Sequence, residues 1–176
     1  MVGNCPILEV RRYIVTDNLW EEEANEETSH YQLLVNMGVA LGMTEDEITN
    51  AQPIASTQTA FLAWETLTRN QFWIEGLAAK GSLEALNQPT TGDISGVSAK
   101  YWTENLGLSR EDVTFWTLHS ELDQDHAHET LEVIGKYATE QDLDRAYISA
   151  RKSHGAWVVL MNGISDHVLE VAGAQR

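Results

Sequence analysis

The stretch LHSELDQDHAHE, residues 118–129, is dense in imidazole and carboxylate side chains. A helix advances by about 100° per residue, so His119, Asp123 and His126, at positions i, i+4 and i+7, share one face. The apolar residues of the same segment point the same way, and they are Phe115, Trp116, Leu122, Val133 and Ile134. The polar trio is therefore predicted to lie inside the buried stripe of a helix, and His128 to face solvent beside Glu132.

A buried trio of this kind needs a compensating partner. An ionised carboxylate buried alone costs several kcal/mol or more. A single His–Asp ion pair would be a structural explanation, but it leaves the third side chain unexplained. A metal ion accounts for all three, since imidazole and carboxylate together are ordinary ligands for iron, manganese or zinc. The spacing therefore favours a metal site.

Composition limits the remaining function classes. The chain has 176 residues, which suits a single domain over 1–176, and 43% of them are hydrophobic, enough for a folded core. Its net charge of −16 argues against nucleic acid or an anionic membrane as partners. Cys5 is the one cysteine, so no internal disulfide can form, and a cytoplasmic location is expected. No apolar run is long enough to span a membrane.

The rest of the chain reads as helical, because no alternating pattern is long enough for a sheet. The first helix carries Leu8, Val15 and Leu19 on one side, and Ser109 with Asp112 caps the helix that contains residues 118–129. The predicted helices are 6–27, 30–42, a short turn at 44–48, 54–86 with a bend at Gly81, 97–106, the helix after Ser109, 140–152 and 155–171.

Two other segments offer ligands. In NLWEEEANEETSH, residues 18–30, Glu22 continues the stripe of Val15 and Leu19, Glu23 is the neighbouring alternative, and His30 follows. Glu21 in the same acidic run is expected to be solvated.

In GLAAKGSLEALNQP, residues 76–89, Glu84 continues the stripe of Trp73 and Leu77. Glu65 and Glu75 compete with it, because they lie near aromatic residues, and periodicity alone does not choose among the three. The Glu-x-x-His pattern of ferritin-like bundles is met only in part, by Glu27 with His30 and by Asp123 with His126.

These stretches resemble the heme-oxygenase-like diiron oxidases, which share a fold group with pyrroloquinoline-quinone synthase and thiaminase-like proteins. The resemblance rests, in order, on LEVRRYIVTDNLWEEE, GLAAKGSLE, YWTENLGLSREDVTFWTLH and HSELDQDH, and it covers most of residues 7–135. It implies an all-α, heme-oxygenase-like helical bundle. It also implies a ligand set for two irons: Glu22, His30, Glu84, His119, Asp123 and His126. Manganese is the alternative metal, and heme is not implied.

Family members usually begin with one or two further helices before LEVRR, whereas this chain starts with MVGN and is therefore expected to be short at its amino terminus. Those helices help to wall the substrate pocket, and a neighbouring subunit of a homodimer could cover it instead. The resemblance implies activation of O2 and oxidation of a small substrate, with electrons from a donor that the sequence does not name. The competing hypotheses are a non-catalytic helical metal-binding or interaction protein and a cofactorless oxidase of the quinone-synthase type.

Overall fold

The computed structural model describes residues 2–23 and 28–173, and within these ranges it is helical with no strand. The α-helices are α1 Leu8–Tyr13, α2 Trp20–Glu23, α3 His30–Ala40, α4 Glu45–Thr49, α5 Ala55–Arg69, α6 Trp73–Glu84, α7 Ile94–Leu106, α8 Thr114–Tyr137 and α9 Glu140–Val171. A π-helix, Ile14–Leu19, joins α1 to α2, and 3-10 turns cover Val2–Asn4 and Ala85–Asn87. The all-α prediction is confirmed.

The described chain divides into two compact units. One combines Gln52–Leu83 with the chain from Ile134, and the other combines Val2–Ala51 with Glu84–Val133. In the first unit α5 packs along α9, and the fully buried Ser153 accepts a hydrogen bond from the Trp64 indole (3.1 Å) and donates to the Ala79 carbonyl (2.8 Å). This buried bond chain ties three helices of that unit together.

The second unit has a small aromatic and aliphatic core. Its buried members are Met37, Ala99, Leu108 and Val113, with two partly buried tryptophans, Trp102 and Trp116, packed against them. The two indole rings meet edge to face, with centroids 4.7 Å apart. This core holds the start of α8, the helix that carries residues 118–129 further along.

Two helix boundaries differ from the prediction. The segment 54–86 is two helices, separated at residues 70–72, and α6 continues through Gly81, which is buried. Conversely, α9 runs unbroken through residues 153–154, because Ser153 and Ala156 are buried and lock that part of the helix against its unit. The small residues at this point allow close packing against neighbouring helices, whereas the sequence pattern predicts the end of one helix and the start of another.

The first predicted helix, 6–27, also changes form. Residues 24–27 lie outside the described residues, and before them the chain passes through the π-helix. A π-helix bonds residue i to i+5 and holds more residues per turn, so side chains after it are rotated relative to an α-helix. Along this segment Val10, Ile14 and Asn18 are buried, whereas Leu8, Val15 and Leu19 are about half exposed.

Within residues 2–23 and 28–173, no helix is both long enough and apolar enough to cross a membrane.

Candidate metal centre

Helix α8 turns its three predicted metal-binding side chains inward. The side chains of His119, Asp123 and His126 are only 15%, 10% and 10% exposed. His128, on the opposite side of the helix from that stripe, is 73% exposed, and its Nε2 lies 3.3 Å from a carboxylate oxygen of Glu132, as predicted. The polar trio thus occupies the buried stripe, where an uncompensated charge is costly.

One cluster forms around His119. The ligand atoms of Glu22, His30 and His119 all lie within 4.8 Å of one another. His30 Nδ1 is 2.9 Å from one carboxylate oxygen of Glu22, and His119 Nε2 is 3.8 Å from the other. His119 Nδ1 donates a hydrogen bond to the Phe115 carbonyl at 2.7 Å, which directs Nε2 toward the cluster.

A second cluster forms further along α8. The ligand atoms of Glu84, Asp123 and His126 also lie within 4.8 Å of one another. His126 Nδ1 is 3.8 Å from a Glu84 oxygen and 3.7 Å from an Asp123 oxygen. On its other side, His126 Nε2 is 2.7 Å from a carboxylate oxygen of Glu21. A carboxylate behind a histidine is the arrangement that fixes ring orientation in many metal sites.

Glu21 was therefore wrongly predicted to be solvated. Its side chain is 23% exposed and it is in contact with His126. The reason is the π-helix, which rotates the acidic run so that Glu21 and Glu22 reach different histidines. A helix wheel drawn at 100° per residue carries no signal of this rotation.

The structure separates the competing acids. Glu23 is exposed and belongs to neither cluster. Glu65 forms an exposed ion pair with Arg69, and Glu75 also stands outside both clusters. Glu27 lies outside the described residues. The six residues implied by the resemblance are therefore the six that the two clusters contain, and their role as metal ligands stays a prediction.

The charged groups of the first cluster shift one another's pKa values. Burial lowers the pKa of His119, but its hydrogen bond with Glu22, its bond with the Phe115 carbonyl and the charge of Asp123 outweigh this, so the pKa is raised overall. For Glu22, burial raises the pKa, but the hydrogen bond from His119 and the charge of His30 lower it overall. The pair is thus arranged to favour its charged forms when no metal is bound.

The donor chemistry fits iron. Three imidazole nitrogens and three carboxylates form a mixed nitrogen and oxygen set of the kind that iron and manganese accept. Ligands about 2.1 Å from a metal lie at most about 4.2 Å apart across it. Atoms that already lie within 4.8 Å of one another therefore need only small side-chain movements to bind an ion.

An open cavity of about 490 Å³ in the same unit lies between α7 and α8. Its lining includes Lys100, Arg110 and Ser120 but none of the six candidate ligands. The clusters and this cavity are therefore separate features of the unit.

Comparison with known proteins identifies the family of the chain. Residues 1–157 match the sequence profile of the family described as iron-containing redox enzyme. The chain belongs to this family. The match confirms the resemblance noted from the sequence, together with the heme-oxygenase-like helical fold, and it makes the chain a member of a redox enzyme family that contains iron.

A curated relative is similar over much of the chain. It is the 4-aminobenzoate synthase of Chlamydia pneumoniae, which is 28% identical over 133 residues, or 75% of this chain. The matched stretch is 56% of that relative's length, so this chain spans about half of it.

Proposed function

We propose that this chain is a non-heme diiron oxidase that uses O2 to oxidise a small organic molecule. The observation that carries the proposal is the pair of three-residue clusters on one face of α8, each with imidazole and carboxylate groups within 4.8 Å. Membership of an iron-containing redox enzyme family supports iron over other metals.

Each residue then has a defined task. Glu22, His30 and His119 would hold one iron, and Glu84, Asp123 and His126 the other. The bound ferrous pair would supply two of the electrons that reduction of O2 requires, and the organic substrate or an external donor would supply the others. The chain's own contribution is geometric: the Phe115 carbonyl orients the ring of His119.

The two halves of the site differ in their access to water. The Glu22 side chain is 49% exposed, whereas the side chains of Glu84 and Asp123 are 11% and 10% exposed. A small molecule would approach most easily on the Glu22 side, where the carboxylate already meets solvent. The deeper cluster is better shielded, which strengthens its electrostatic interactions.

The substrate class is a small organic molecule. The relative's name, 4-aminobenzoate synthase, makes small aromatic amines and aminobenzoates reasonable first compounds to test. Amino acids and fatty acids complete the panel, since the family resemblance implies such substrates.

Iron stoichiometry with an oxygen challenge tests the proposal. The chain is purified without oxygen, loaded with ferrous iron, desalted and analysed for iron, and O2 uptake is then followed with an electrode. About two irons per chain and O2 uptake that depends on them are expected. Two irons without O2 uptake would favour a non-catalytic metal protein, and O2 uptake without iron would favour a cofactorless oxidase.

A matched pair of variants sharpens this test. His119→Ala removes a member of the first cluster, whereas His128→Ala removes an exposed histidine about two and a half turns further along the same helix. We expect His119→Ala to lose iron and O2 uptake together, and His128→Ala to keep both. Full iron content in the His119 variant would contradict the assignment.

A further inference from the structure

Asn87 lies directly behind the second cluster. It ends the 3-10 turn Ala85–Asn87 that follows Glu84, and it is 7% exposed. Its Nδ2 donates a hydrogen bond of 2.6 Å to Asp123 Oδ2, and its Oδ1 accepts one of 2.9 Å from the backbone N–H of Ser95. Both ends of the amide are thus occupied by protein groups.

These two bonds fix which way the amide points. A backbone N–H can only donate, so the atom facing Ser95 is the oxygen and the atom facing Asp123 is the nitrogen. The donor therefore meets a carboxylate, which gives a short, charge-assisted hydrogen bond. A carboxylate in place of this amide could still accept the hydrogen bond from Ser95. It could not donate to Asp123, and the two negative charges would repel each other.

The anchor behind Asn87 is part of the helix framework. Ser95 lies in the first turn of α7, and the cap of that helix, Asp93, accepts a hydrogen bond from Ser120 of α8 at 2.9 Å. Asp93 itself has a left-handed backbone conformation, with φ of 45°. The amide is therefore held between α7 and α8 and has little freedom to rotate away from Asp123.

The effect on Asp123 is to assign its two oxygens different roles. Oδ2 is held by Asn87, while Oδ1 lies 3.7 Å from His126 Nδ1, inside the cluster. An aspartate with one oxygen held in this way presents the other in a fixed direction.

We propose that Asn87 is a positioning residue that aims one oxygen of Asp123 into the Glu84–Asp123–His126 cluster and so sets the affinity of that cluster, and not of the other, for its metal ion. This inference rests on the proposed function, because it assumes that the cluster binds iron. Loss of such an outer contact typically lowers metal affinity 10- to 100-fold.

The test is anaerobic calorimetric titration of the full chain with Fe²⁺ alone. Asn87→Asp keeps an acceptor for Ser95 but places a carboxylate against Asp123, and Asn87→Ser is too short to reach it. Both variants should weaken one of two binding events by about 10- to 100-fold and leave the other unchanged.

Gln88→Leu is the matched control. Gln88 is the next residue, and its side chain donates to the backbone carbonyl of Gln124 in α8 at 2.9 Å; neither residue is a member of a cluster. This variant removes an amide contact between the same two segments and should leave both binding events unchanged.

Three results would overturn the inference. If the wild type binds two irons and both Asn87 variants bind them equally well, Asn87 does not position Asp123. If both binding events weaken together with a fall in thermal unfolding temperature, the role of Asn87 is structural. If the wild-type chain binds no iron, the proposed function is wrong, and the inference that rests on it is wrong as well.

Discussion

The substitution Asp123→Asn separates a metal site from a structural ion pair, because the two explanations predict opposite signs for the stability of the metal-free chain. Asparagine has the same shape, and its oxygen can still accept the hydrogen bond from Asn87, so the change removes charge and little else. If the cluster exists to bind metal, Asp123 and Glu84 repel each other until an ion is present.

The geometry gives the size of that repulsion. Ligand oxygens of Glu84 and Asp123 lie within 4.8 Å, and two like charges at this separation repel by about 3 kcal/mol at an effective dielectric constant of about 20. His126 lies 3.7–3.8 Å from both and offsets part of this. We therefore expect Asp123→Asn to stabilise the metal-free chain by about 1.5 kcal/mol, half the full value. In a chain of this size that raises the unfolding temperature by about 3–6 °C.

The assay is thermal unfolding followed by circular dichroism, with and without ferrous iron under nitrogen. Iron at about 100 times its dissociation constant should stabilise the wild type by about 2.7 kcal/mol per site and reverse the order of the two proteins. Asp125→Asn, an exposed position on the same helix, is the control and should change neither measurement appreciably. If metal-free Asp123→Asn is instead less stable than wild type, and iron changes nothing, then Asp123 is a structural partner of His126 and the reasoning fails.

Three further predictions follow from individual contacts. Glu21→Gln should lower iron affinity about 10-fold, because the ring of His126 would be held less firmly in its orientation. Equal affinity of variant and wild type in an anaerobic titration would show that Glu21 does not support the site. In the metal-free chain, the lowered pKa of Glu22 contributes stability that is present above about pH 4.5 and is lost as the pH falls further. The raised pKa of His119 contributes stability that is present below about pH 6.5 and is lost as the pH rises further. The difference in unfolding temperature between wild type and Glu22→Gln should therefore be largest between about pH 4.5 and 6.5, and a difference independent of pH would contradict this coupling. Asp93→Ala should destabilise the chain by about 2 kcal/mol in urea unfolding, because alanine cannot cap α7 and tolerates the positive φ poorly, whereas Asp93→Asn should be nearly neutral.

The sequence by itself determined the helical class and the direction of the metal-binding stripe on α8. Both depend on the regular advance of a helix about its own axis, so they can be read from spacing alone. His119, Asp123 and His126 at i, i+4 and i+7 must share a face wherever the helix lies. The exposure of His128 follows from the same geometry, and the structure shows it.

Only the tertiary structure decided which other side chains meet that stripe. Periodicity describes a residue's direction about its own helix and contains nothing about which helix approaches it. For this reason Glu84 could not be separated from Glu65 or Glu75, nor Glu22 from Glu23, until the segments were placed. The rotation that brings Glu21 to His126 arises in the π-helix, whose i to i+5 bonds change the number of residues per turn. Asn87 was not visible either, since its importance depends on two hydrogen bonds to residues 8 and 36 positions away along the chain.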